Sequence, residues 1–301
     1  MDYDFSKIKT YINSNKSILN ILKLIIISLS LYFVVNLVIN NIQQLIELSL
    51  SNYSHIIVFV LISSFFYTVL LIVLALGWKK ILENINNKTL DHSIVIIYLK
   101  SLIYKYLPGN IFHYANRQIS AKKIGVSHND LLKSNVFEAI NLIFAASIFS
   151  LILFKQHDSS SVFYWIITLL TIIGLITLLI YRKKKFSKTI LFTISYYLIY
   201  FIGIGGLSYY CLNTFTDNNL NLLNCIAIYS LAWIAGFIIP GAPGGIGIRE
   251  SVFILLSDNI ISQPEALFVI TLLRLVTTLG EIIAYLLAQF SYHYHLNDTA
   301  N

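Results

Sequence analysis

The chain has 301 residues, of which 57% are apolar and only 12% are charged, with a formal net charge of +7. Soluble domains carry about 45–50% apolar and about 25% charged residues, so this composition excludes a soluble enzyme, a disordered chain and a secreted scaffold. Two cysteines, Cys211 and Cys225, are too few for a disulfide framework or a cysteine-based metal site. We predict a membrane protein with no metal and no cofactor.

Apolar runs long enough to cross a bilayer, which takes about 20 residues, recur along the chain. Polar ends flank them, and no small-residue cleavage site follows the first run, which predicts a retained helix. We predict a single all-α, polytopic integral membrane domain over 1–301 with about seven to eight transmembrane helices, a cytoplasmic N-terminal segment at 1–18 and a tail at 291–301. The predicted spans are 19–40, 54–77, 134–154, 162–181, 188–212, 222–239 and 265–290.

Two segments break this pattern. Residues 93–107 are apolar but too short to span, contain Lys100 and Lys105, and stop at a Pro-Gly pair. Residues 240–257 open with prolines and glycines, which interrupt a helix. We predict that 93–117 and 240–257 are broken or re-entrant segments. The residues that make the breaks are Pro108, Gly109, Pro240, Gly241, Pro243, Gly244 and Gly245.

Lysine and arginine distribution predicts the topology. Loops 41–53 and 213–221 contain neither residue, whereas 79–92, 115–133 and 182–188 are rich in them. Because basic loops stay on the cytoplasmic side, the N-terminus is predicted inside and, after seven full spans, the C-terminus outside. The same distribution favours membrane topology over nucleic-acid binding, since the basic residues form no single groove.

The two breaks resemble each other as an internal repeat. Pro108-Gly109 is followed by Arg117, and Pro240-Gly241 is followed by Arg249 at the same spacing. Interrupted segments at corresponding positions of two halves are typical of a transporter's binding site. Coincidence in an Ile/Leu-rich chain remains the alternative.

Arginine is scarce here and is placed at these breaks. Of the four arginines, only Arg182 lies in a basic loop, while Arg117 and Arg249 follow the breaks and Arg274 lies in the last apolar run. A guanidinium binds phosphate or carboxylate in a bidentate manner and stays charged when buried. Two interpretations stay open, ligand binding and pairing with a nearby acid. The candidate acids are Glu138, Glu250 and Glu281.

Further polar residues interrupt the apolar runs. Asn135, Glu138 and Asn141 form a stripe on one predicted helix, and such groups usually face a bundle interior or a cavity. His113 lies between the first break and Arg117 and is a minor site candidate. Small residues at Gly280, Ala284 and Ala288 predict close helix contact. Trp78, Trp165 and Trp233 lie near span ends, which is typical of interfacial anchoring.

Two motifs carry a family resemblance. The first is KYLPG at 105–109, followed by Arg117 and by Gly-Val-Ser at 125–127, and the second is PGAPGGIGIRE at 240–250, followed by Arg274. A Gly-Trp pair at 77–78 precedes two lysines. Together they resemble the transmembrane domain of the lysylphosphatidylglycerol synthase/flippase family over about residues 55–290.

The resemblance implies re-entrant elements and movement of a polar lipid between leaflets of a prokaryotic plasma membrane. The sequence ends at Asn301, so we expect no soluble aminoacyltransferase domain and no enzyme activity. The predicted function is a flippase-like transporter of an anionic or zwitterionic phospholipid or a polyprenyl-linked saccharide. Arg117, Arg249, Glu250, Arg274 and His113 are the predicted head-group residues, and Lys105, Glu138, Asn141 and Glu281 the path-lining or ion-pairing ones.

Two other functions stay open. One is a non-transporting, lipid-binding partner subunit of envelope glycolipid assembly. The other is an intramembrane lipid-phosphate enzyme, for which no motif provides a base or a nucleophile. Expected partners are the lipid itself, a second copy of the chain, or an envelope-biosynthesis enzyme.

Overall fold

The computed structural model describes residues 53–106, 112–151, 187–216, 221–239, 243–258 and 260–298, with scattered positions between 32 and 46. Every element in these ranges is helical, which confirms the predicted all-α class for this part of the chain. The α-helices are α1 (Tyr53–Asn86), α2 (Ser93–Ser101), α3 (Phe112–Lys123), α4 (His128–Ser150), α5 (Ser187–Phe215), α6 (Leu222–Ile238), α7 (Ile248–Ser257) and α8 (Gln263–Asp298).

Four of these helices, α1, α4, α5 and α8, are long and apolar enough to cross a membrane. Helix α6 is apolar but has 17 residues, so at about 1.5 Å per residue it falls short of a full bilayer core. The predicted span 162–181, and most of 19–40, lie outside the described residues. The predicted total of about seven to eight spans is therefore not confirmed.

Several helices extend beyond the predicted spans for local reasons. Helix α4 begins before the predicted start at 134 because the Ser127 hydroxyl accepts a hydrogen bond from the Asp130 amide at 3.1 Å, a typical N-cap. Helix α1 passes 77 and continues to Asn86 through a charged segment, where Lys79 and Lys80 pair with Glu83 at 3.8 and 3.0 Å. Helix α8 continues into the segment predicted as a tail.

Helix α1 packs against α5 and α8 in the centre of the bundle. A Cβ added at Gly280 would lie 2.8 Å from the Ser64 carbonyl oxygen, and the Gly280 carbonyl accepts a hydrogen bond from Thr68 at 2.9 Å. Ala284 and Ala288 are fully buried beside it. Gly280, the first residue of the predicted small-residue face, thus lies in close contact with α1.

The two broken segments meet beside α8. In the first, α2 ends at Ser101 and the chain continues as a 3₁₀ turn, Leu102–Tyr106. In the second, a 3₁₀ turn, Pro243–Gly245, leads into α7. A Cβ at Gly244 would lie 3.1 Å from the Tyr106 ring, so the turns are in contact. Pro108, Gly109, Pro240 and Gly241 lie outside the described residues.

Candidate functional site

A small cavity of ≈ 70 Å³ lies inside the bundle, between the two broken segments. Its wall combines basic, acidic and aromatic side chains from helices distant in sequence. Three of its basic members, Lys105, Arg117 and Arg249, were predicted as site residues. The lining residues are Tyr67, Leu71, Leu74, Tyr98, Leu102, Lys105, His113, Tyr114, Arg117, Glu138, Leu142, Tyr200, Trp233, Phe237, Gly244 and Arg249.

Arg117 is held by three kinds of contact. Its Nη1 lies 2.5 Å from a Glu138 carboxylate oxygen on α4, and its Nε donates a hydrogen bond of 2.9 Å to the Ser101 hydroxyl. The guanidinium carbon sits 3.7 Å from the centre of the Tyr98 ring, in cation–π geometry. Both Arg117 and Glu138 are almost fully buried. This arginine therefore already has an acidic partner, a hydroxyl partner and an aromatic partner within the protein.

Lys105 pairs with an acid from the far end of the chain. Its Nζ donates to the Glu281 carboxylate on α8, which is fully buried. The same carboxylate oxygen accepts a 3.4 Å hydrogen bond from the Tyr67 hydroxyl, and that hydroxyl lies 3.2 Å from the Tyr200 hydroxyl. The pair ties the first broken segment to α8 and neutralises Lys105.

Arg274 binds the second broken segment through an ion pair and a hydrogen bond. Its Nε lies 2.7 Å from a Glu250 carboxylate oxygen at the start of α7, and its Nη1 donates to the Gly244 carbonyl at 3.2 Å. Gly244, Gly245 and Gly247 all have positive φ, of 60°, 75° and 84°, which glycine adopts without strain. Arg274 thus fixes a glycine turn that bounds the cavity, without lining the cavity itself.

Arg249 differs from the other two arginines. It is only 8% exposed, yet it forms no ion pair within 4 Å and no hydrogen bond with any residue that the structure describes. Among the described residues, its guanidinium carbon lies 5.6 Å from the centre of the Trp233 ring. Burying a charge without a nearby ion-pair partner costs free energy of folding. A function that requires Arg249 at this position would explain why the protein carries it.

Two glycines make room for the Arg249 side chain. A Cβ at Gly236 would collide with the Arg249 Cγ and lie 2.8 Å from its Nε, and a Cβ at Gly245 would also lie 2.8 Å from that nitrogen. Gly236 lies on α6 and was not singled out by the sequence analysis. The chain therefore leaves a passage, bounded by backbone, through which Arg249 reaches the cavity.

Two further predicted residues, His113 and Asn141, lie in or near the cavity but form no ion pair there with any described residue. His113 lines the cavity, and its Nδ1 has no hydrogen-bond partner among the described residues. Burial, with the positive charges of Arg117 and Lys105, holds its pKa well below the usual histidine value. The imidazole is therefore neutral at pH 7. Asn141 is buried, on the α4 face that carries Glu138, but is not part of the cavity wall.

A larger, apolar groove of ≈ 710 Å³ lies between α1 and α5. It begins about one helical turn from the cavity, since Ser63 precedes Tyr67 on α1 and Gly203 follows Tyr200 on α5. Its wall offers few polar groups, so it suits a hydrocarbon chain better than a charged ligand. We therefore place the candidate site at the smaller polar cavity.

No group of three or more metal-ligating side chains occurs in the part of the chain that the structure describes. Both cysteines are buried and free. The sequence matches no protein-family model and no curated protein.

Proposed function

We propose that this chain is a flippase-like transporter that moves a lipid with a phosphate-containing head group between leaflets. The observation that carries the proposal is Arg249, a buried guanidinium that forms no ion pair within 4 Å among the described residues and lines a partly polar cavity. An anionic head group would supply the missing counter-charge through charge-assisted hydrogen bonds. Arg249 is also the second residue of α7, and a helix N-terminus favours an anion.

The surroundings of the cavity support a lipid ligand. Three of the four membrane-length helices, α1, α4 and α5, contribute residues to its wall, and an apolar groove approaches it along α1 and α5. In our proposal the head group enters the cavity while a hydrocarbon tail lies in the groove. A wet, charge-lined passage lowers the desolvation cost of moving a head group through the bilayer.

The wider arrangement belongs to the same proposal. We propose that 19–40 and 162–181 add further spans, that the chain is a stand-alone member of the lysylphosphatidylglycerol synthase/flippase family, and that it resides in a prokaryotic plasma membrane. The N-terminus is then cytoplasmic, as the basic loops favour. In our proposal the two broken segments move relative to each other during transport. The pairs Lys105–Glu281 and Arg274–Glu250, which hold these segments, then exchange partners.

The direct test is reconstitution in vesicles containing lipids labelled on the tail or the head group. Head-group access to a membrane-impermeant quencher is followed with time for phosphatidylglycerol, phosphatidylcholine and a polyprenyl-phosphate sugar. We expect faster transbilayer movement than in protein-free vesicles for at least one of them. Unchanged rates with every lipid, combined with retained lipid binding, would overturn transport and favour the partner-subunit function.

A matched pair of glycine substitutions tests whether the position of Arg249 matters. Gly236→Ala places a methyl group against the Arg249 side chain, whereas Gly77→Ala on α1 places one 3.1 Å from the Tyr196 Cβ, outside both the cavity wall and the groove. We expect Gly236→Ala to slow transport about tenfold, equivalent to roughly 1.4 kcal/mol, because it displaces the guanidinium without removing its charge. Both proteins are assayed in the same vesicles, and Gly77→Ala should match the unmodified protein. Equal rates for the two variants would contradict the assigned role of Arg249.

A further inference from the structure

The charges around the cavity nearly cancel. Lys105 faces Glu281, Arg117 faces Glu138 and Arg274 faces Glu250, and each pair is neutral whether its proton lies on nitrogen or oxygen. His113 is neutral for the reasons given above. Of the charged side chains described around the cavity, Arg249 is the one without an ion pair within 4 Å, so these described groups together carry a single positive charge.

The neighbouring segments do not change this balance. Residues 107–111 and 240–242 follow and precede the broken segments in sequence, and neither contains an acidic or basic residue. Among the charged side chains described in the cavity wall, Arg249 is therefore the one cation without an ion pair within 4 Å.

We propose that the cavity selects lipids whose head group carries one phosphodiester charge and discriminates against phosphate monoesters and pyrophosphates. The single negative charge of a phosphodiester balances the positive charge of Arg249, so the bound phosphate and the described groups around it are neutral together. A monoester or a pyrophosphate brings a second negative charge, which would be buried with no counter-charge. The inference deepens the proposed function, on which it rests, because it chooses among the lipids which that function leaves open.

Competition binding to the purified protein in detergent tests the charge preference directly. The probe is a fluorescent phosphatidylglycerol, and the competitors share dihexanoyl tails but end in phosphatidylglycerol, phosphatidic acid or a diacylglycerol pyrophosphate. At pH 8 the monoester is close to a dianion, because its second pKa is about 6. We expect the diester to bind at least about tenfold more tightly than the other two. Equal affinities in the unmodified protein would overturn the proposal.

A charge variant makes the test sharper. Glu281→Gln removes one carboxylate with little change in shape, so a bound dianion would face two cations, Arg249 and a Lys105 that no longer has a carboxylate partner. We expect its preference to shift by about tenfold or more toward phosphatidic acid. Glu83→Gln is the matched control, since Glu83 lies at the end of α1 with Lys79 and Lys80. An unshifted preference in a folded Glu281→Gln protein would also overturn the proposal.

These outcomes separate the inference from the proposed function. Selective diester binding without any transport would overturn transport and leave the charge preference standing. Transport of diester, monoester and pyrophosphate lipids at equal rates would overturn the charge preference and leave transport standing. If Glu281→Gln does not fold, the competition series on the unmodified protein still decides the question.

Discussion

Replacing Arg249 with glutamine should abolish most lipid transport and at the same time make the protein more stable. Arg249 is 8% exposed and forms no ion pair within 4 Å in the described part of the chain. Hydrogen bonds to charged groups contribute about 1.5–3 kcal/mol, so we expect transport to fall by about ten- to a hundredfold. Removing the unpaired buried charge should raise the free energy of unfolding without ligand by about 1–3 kcal/mol.

The opposite effects on transport and on stability distinguish a functional role of Arg249 from a purely structural one. A residue needed only for folding lowers stability and activity together when it is removed, whereas a residue strained for function lowers activity and raises stability. Thermal unfolding in detergent and transport in vesicles are measured on the same preparation. Arg249→Lys serves as the control, because it keeps the charge but loses the planar fork, and we expect intermediate transport. A glutamine variant with a lower Tm and full transport would contradict the assignment.

The long helices could be predicted from the sequence because spanning a bilayer sets a length criterion that apolar runs meet by themselves. Their ends depend on local contacts that hydropathy does not report. The Ser127 cap starts α4 early, and the Lys80–Glu83 pair carries α1 beyond its apolar part. The broken segments could also be predicted, because proline and glycine interrupt a helix. Gly245 and its neighbours do adopt positive φ.

The site was predictable by residue type but not by pairing. Arginine at the breaks indicated anion chemistry, and the sequence left open whether each one binds a ligand or an acid. The answer depends on contacts between residues distant along the chain, such as Lys105 with Glu281, 176 positions apart. Trp78 and Trp233, interpreted as interfacial anchors, are instead buried, and their rings lie within 5.2 and 5.6 Å of arginine guanidiniums.

Arg117 should give the reverse result to Arg249. Arg117→Met leaves Glu138, only 1% exposed, without its positive partner. Breaking a buried pair on one side costs about 3–5 kcal/mol, so we expect a large drop in Tm or a failure to fold. Arg117→Met combined with Glu138→Met removes both charges and should recover most of that loss, because replacing a whole buried pair with apolar side chains is often neutral.

The double variant then shows what Arg117 does. If it only positions α3 against α4 and α2, the double variant should transport lipid at a rate near that of the unmodified protein, because the net charge of the cavity is unchanged. If Arg117 contacts the head group, transport should remain lost after stability is restored. We expect the first outcome, since Glu138, Ser101 and the Tyr98 ring already occupy its guanidinium. Loss of transport in a stable double variant would return Arg117 to the binding site.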